Sequence, residues 1–145
     1  MNTTPETTAM VLGALGRGLP MLLLQFGVCL SLLVVGVLIY LAVTPFREQD
    51  LLRSGNAAAA TVLGGTLFAL AIPLAALLAT TAALLDLVVW GVVAVILQLV
   101  TVIVVSLLLR GMRRMIEAGQ VAGAIPLVAA QLSIGLLNAA AMVPV

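Results

Sequence analysis

The sequence predicts an all-α fold, an integral membrane four-helix bundle built from two parallel two-helix repeats, and three observations predict it. The chain's 145 residues are 64% hydrophobic and only 8% charged, several-fold less charge than a soluble domain needs to cover its surface. The apolar residues gather into four runs, each at least as long as the ~20 residues with which an α-helix crosses about 30 Å of hydrocarbon. The second half of the chain also matches the first when slid by 64 residues.

The first span is expected from about residue 19 to 43, preceded by an extracytoplasmic segment, 1–18, and the membrane domain occupies 19–145. Met1 to Ala9 contain Glu6 and no basic residue, so the positive n-region of a cleavable signal is missing and the first run should remain in the protein. The second and third spans are expected at about 56–84 and 86–109. Asp86 is the one charge between Arg53 and Arg110, and a continuous helix there would far exceed the bilayer, so the chain must reverse near Thr80–Asp86. Asp86 suits the N-cap of the third span, where an anion meets the positive end of the helix. The fourth span is expected at about 120–143. Repeat one then covers about 19–83 and repeat two about 84–145.

The other two connections carry the charge. Residues 44–55 read as a short interfacial helix, with Thr44 as N-cap, Pro45 in the first helical position and Gly55 ending it in a left-handed conformation. Residues 110–119 are its counterpart. All six basic residues are Arg; Arg47, Arg53, Arg110, Arg113 and Arg114 lie in these two connections, against Arg17 on the other side. Positive charge beside spans marks the cytoplasmic face, which puts both termini outside. The same arginines are candidate contacts for anionic lipid or a cytoplasmic protein partner.

Under the 64-residue shift, Gly55-Asn56 falls on Gly119-Gln120, Gly27 on Gly91 and Leu63 on Leu127. Both halves thus enter the membrane in the same direction, as parallel repeats do. Leu51-Leu52-Arg53-Ser54-Gly55-Asn56-Ala57-Ala58-Ala59 resembles the Gly-Asn-x-Ala motif of the YjfL-like family of uncharacterised bacterial inner-membrane proteins. Asp86-Leu87-x-x-Trp90-Gly91 with Gln98-Leu99 is similar to that family's central motif, and Ile116-Glu117-x-Gly119 with Asn138-Ala139-Ala140 to its second-repeat signature. The resemblance covers roughly residues 20–142, with Gln120 standing where the family usually has Asn. It implies a duplicated two-helix unit in the inner membrane with no assigned activity, and some relatives look like members of envelope-stress gene clusters.

Within the spans, small residues mark where helices approach and amides mark what must be kept from lipid. On the second span, Asn56, Ala60, Gly64, Ala71, Ala75, Ala79 and Ala83 form a row that suits close packing, and Pro73 frees the carbonyl of Ala69 from its helical donor. Spans two and four are expected in the middle, with the bulkier one and three as flanks. Gly91, Ala94, Gln98, Thr101 and Val105 share a face of the third span. Gln120, Ala124, Gln131, Gly135 and Asn138 share one of the fourth. Gln98, Thr101, Gln131, Asn138 and Asp86 are therefore the candidates for either contacts between helices or a polar path. Gly55, Asn56, Gly119 and Gln120 mark helix starts, where Asn56 and Gln120 can satisfy free backbone N–H groups.

Several function classes have no parts here. With no His and a single Cys29, no His/Cys metal cluster, disulfide or Cys-His pair can form, and no cofactor is implied. Cys29 should pack as a small hydrophobe. One isolated carboxylate without a nucleophile and base predicts no enzyme, and the few arginines leave no footprint for nucleic acid. The partners expected are the lipid bilayer, further copies of the chain and a cytoplasmic protein. The leading expectation is an oligomerising structural or assembly component, and the alternative is an oligomeric channel or carrier for an ion or small solute.

Overall fold

The computed structural model describes residues 5–44, 48–109 and 111–143. It is helical almost throughout: α1 (Pro5–Val43), α2 (Glu48–Arg53), α3 (Ala57–Thr80), α4 (Leu84–Leu108), α5 (Met112–Glu117) and α6 (Val121–Met142). Four of these, α1, α3, α4 and α6, are long and apolar enough to cross a membrane. The protein is an all-α membrane bundle, with α2 and α5 as short helices between spans. Arg47, Arg110 and Pro45, and with Pro45 the expected start of the first interfacial helix, lie outside the described residues. Thr44 follows the last residue of α1, with its N–H donating to Tyr40 O at 2.9 Å and its hydroxyl to the same oxygen at 2.6 Å.

α1 begins well before residue 19. Its 39 residues extend about 58 Å at 1.5 Å per residue, because nothing from Pro5 to Leu19 forces a break and the helix continues through Pro20. Every residue from Thr7 to Leu24 is exposed, and contact with the other spans begins at Gln25.

The tightest helix pair is α3 with α6, the second and fourth spans. The expectation that α4 is only a flank needs correction: α4 packs on α1, α3 and α6 alike. The expected packing row of α3 is also corrected. Ala60, Ala75, Ala79 and Ala83 are exposed, and the buried side is Ala58, Ala59, Val62, Gly65, Thr66, Ala69 and Pro73. Alanine surrounds α3 on all sides, so small size alone did not single out one face.

Two glycines set the turns into the inner spans. Gly55 and Gly119 have φ of 78° and 77°, the left-handed region that only glycine enters freely. Each ends a short helix in the same way. Asn56 N–H donates to Leu51 O (2.9 Å) and Gly55 N–H to Leu52 O (3.0 Å), while Gln120 N–H donates to Met115 O (2.8 Å) and Gly119 N–H to Ile116 O (2.9 Å). This is the Schellman pattern. The pairs are 64 residues apart, as are the starts of α2 and α5 and of α3 and α6.

Pro73 has no N–H to give Ala69 O, so the carbonyl four residues earlier is left open. α3 presents it to α6 at Gly135, where an added methyl would sit only 2.8 Å from Ala69 O. The absent side chain lets the two backbones meet, and a Cα–H can face the open oxygen.

Candidate functional site

Three of the candidate polar residues converge inside the bundle. Gln98 on α4 and Gln131 on α6 are fully buried, and Asn138 is 7% exposed. Gln98 Nε2 donates to Gln131 O at 2.7 Å, and Asn138 Nδ2 donates to Ala94 O at 3.2 Å. These two bonds tie α4 to α6 at points about one turn apart on α4 and about two turns apart on α6. Thr66 on α3, which no sequence pattern singles out, completes the cluster: its hydroxyl lies 2.8 Å from Gln131 Oε1 and 2.9 Å from Val62 O. A threonine that bonds back to its own helix looks unremarkable in a span, and only its partner 65 residues away reveals it.

The cluster does not satisfy all its atoms. Gln98 Oε1 and Gln131 Nε2 are buried with no hydrogen-bond partner. The Thr66 hydroxyl has one proton facing two acceptors. Turning the Gln131 amide over resolves that conflict, since Nε2 can donate to the hydroxyl oxygen while the proton goes to Val62 O. Two side-chain carbonyls, one from each glutamine, then remain unbonded at the centre.

The other candidates lie outside this cluster. Thr101 donates to Leu97 O on its own helix at 2.9 Å; Val102, not Thr101, faces the interior. Asp86 is exposed and is not the N-cap of α4. Ala83 holds that position, and Asp86 lies in the first turn, where its charge still favours the helix's positive end. The reversal comes earlier than a cap at Asp86 requires, at residues 81–83. Gln25 on α1 holds it there, with Nε2 donating to Ala82 O at 3.0 Å. A lone amide in an apolar span was the available signal for Gln25. Cys29 is buried, and its thiol points at Leu74 O, 3.8 Å away.

Among the motif residues, Asn56 does two jobs. Its Oδ1 accepts from Ala59 N at 3.0 Å, capping α3. Its Nδ2 donates to Ile116 O at 2.8 Å and Glu117 O at 3.3 Å, gripping the carbonyl end of α5, where Ile116 O also accepts from Gly119 N–H. Gln120 occupies the N-cap of α6 but makes no capping bond through its side chain; its longer chain is exposed. The grip by Asn56 requires a donor and an acceptor on one short side chain. Asn56→Ala should cost about 1–2 kcal/mol. Asn56→Asp should not recover the loss, because it keeps the cap and turns an acceptor toward two carbonyls. Thermal melting in detergent checks both, and full recovery by Asp would mean that the tie to α5 contributes nothing.

Where α1, α4 and α5 meet, near the charged ends of the spans, a cavity of about 710 Å³ opens on the side of the bundle. That lies within the ~300–1,000 Å³ of small-molecule sites. Its wall is apolar along α4 and charged at α5. Arg113 Nε pairs with Glu117 at 2.9 Å, and Arg114 makes no ion pair among the described residues. Arg53 ends α2 and is exposed. Among the described residues, no group of His, Cys, Asp and Glu could hold a metal ion.

The family model for a Domain of Unknown Function, DUF350, matches residues 14–142. UPF0719 inner membrane protein YjfL of Escherichia coli strain K12 is 28% identical over 117 residues, which are 81% of this chain and 89% of the relative. The protein of the same name from Escherichia coli O157:H7 matches to the same extent. No solved structure matches the chain. A match that starts within α1 and ends with the last residue of α6 takes in the amide cluster and both glycine turns, and the chain belongs to the DUF350 family.

Proposed function

We propose that the protein is an oligomerising structural component of the bacterial inner membrane, an assembly factor and not a catalyst. The observation that carries this reading is the use made of the amides. Gln98, Gln131 and Asn138 are spent on bonds that join α3, α4 and α6, each worth about 0.6–2 kcal/mol as glue between helices in lipid. Among the described residues, three cavities open on the flanks of the bundle. The outward side of α3 offers Ala75 and Ala79, both exposed, with the exposed Phe68 two turns before Ala75, a surface against which the helix of a second copy can pack. The arginine-bearing connections favour a cytoplasmic position for α2 and α5, where a cytoplasmic partner has room to bind, with both termini outside. The matching turns and helix starts support descent of the two halves from one duplicated two-helix unit.

A second reading, an oligomeric channel or carrier for an ion or small solute, draws on the two unbonded amide atoms at the centre. One set of measurements separates the readings. In bilayers, Ala75→Cys should form disulfide-linked dimers on oxidation, whereas the buried Cys29 of the parent should not. The pair Ala75→Leu and Ala79→Leu should weaken self-association at least about tenfold, a loss of roughly 1.4 kcal/mol. Liposomes holding the parent should pass neither K⁺, protons nor small neutral solutes. A chain that stays monomeric at every density contradicts the assembly reading. Flux that Gln98→Met abolishes in a folded protein would establish the second.

A further inference from the structure

We propose that the cavity between α1, α4 and α5 seats one anionic phospholipid, its phosphate at Arg114 and Arg113 and one acyl chain running down α4. This inference does not depend on the assembly reading. The cavity's charged end holds two guanidiniums against the single carboxylate of Glu117. Glu117 is already engaged with Arg113 at 2.9 Å, which leaves Arg114 without an ion pair among the described residues. Guanidinium groups match phosphate oxygens in shape and charge, and their charge is permanent.

From that end the lining descends along α4 from Leu107 past Ile103 to Leu99, about 12 Å at 1.5 Å per residue. Tyr40 of α1, 1% exposed, lines the same cavity. A soluble phosphate compound would use the charged end and leave this apolar length against nothing. A hydrocarbon chain fills it, and lipid is the neighbour at this depth. Basic pockets between spans at the headgroup level bind anionic lipids on the same physical grounds.

The test is native mass spectrometry of the full chain in a neutral detergent, titrated with phosphatidylglycerol or phosphatidylethanolamine carrying identical acyl chains. The parent should retain one phosphatidylglycerol with at least about tenfold preference, or roughly 1.4 kcal/mol. Arg114→Gln should erase the preference. Ile103→Trp, which fills the slot, should cut retention of both lipids. Ile103 is 42% exposed and Arg114 is exposed, so neither change strains the core; Leu107→Trp repeats the block from a second position. Equal retention of the two lipids, or retention unchanged in Arg114→Gln and in both tryptophan variants, overturns the proposal. Displacement of the lipid by millimolar inorganic phosphate would overturn it too, by assigning the site to a soluble anion.

Discussion

Gly135→Ala is expected to destabilise the bundle by about 1–3 kcal/mol, the range for forcing an extra carbon into a packed interior. The new methyl would lie 2.8 Å from Ala69 O, 3.4 Å from Ala69 Cα and 3.5 Å from Ala69 C. All three are backbone atoms and none can rotate away. Relief therefore requires α6 to back off from α3, and every contact along the tightest helix pair weakens with it. Gly91→Ala is the informative comparison. Its methyl would come within 2.5 Å of Leu32 Cδ1, but that atom is the free end of a side chain with other rotamers, so the loss should be much smaller. Gly64→Ala, with nothing within 4 Å, should be neutral or slightly stabilising. Unfolding titrations in mixed micelles would rank the three. Equal effects for Gly135→Ala and Gly64→Ala would contradict the close approach of the two backbones.

Gln98→Ala is expected to cost about 2–5 kcal/mol, as for other truncations of a long buried side chain. It removes the bond to Gln131 O and opens a void where α3, α4 and α6 meet. Gln98→Met keeps most of the volume and discards the amide. That exchange loses one interhelical bond, about 0.6 kcal/mol on average in a membrane protein, and also removes the buried Gln98 Oε1 that has no partner. The two contributions oppose each other, so the Met variant should unfold within about 1 kcal/mol of the parent. A Met variant as damaged as the Ala variant would mean that the amide's bonds, and not its bulk, hold the centre.

The membrane fold was legible because its signal is thermodynamic and coarse. Long uncharged runs leave α3, α4 and α6 no stable alternative to the bilayer, and their ends came within a few residues of expectation. The inward direction of Gln98, Gln131 and Asn138 was legible for a related reason: amides facing lipid are costly, and helical spacing put these on inner faces. Gly55 and Asn56 were readable because a left-handed turn favours a residue without a side chain and a cap favours a short polar one. The packing face of α3 was not, since a helix with alanine on every side carries no contrast for periodicity to detect. Thr66 and Gln25 were missed because each acts through a partner more than fifty residues away. The Asp86 cap was misread because backbone geometry, with no side-chain bond at Ala83, decides where α4 begins.

The amide cluster has a consequence for alignment along the membrane normal. Aliphatic helices can slide past each other by a turn and lose little, because one leucine serves as well as the next. Gln98 reaching Gln131 O, and Asn138 reaching Ala94 O, forbid that slippage: a shift of about 5.4 Å would bring each amide against hydrocarbon. The polar contacts thus act as a vernier that gives α4 and α6 a single vertical setting, and through α6 they fix the level of α5 and its arginines relative to α4.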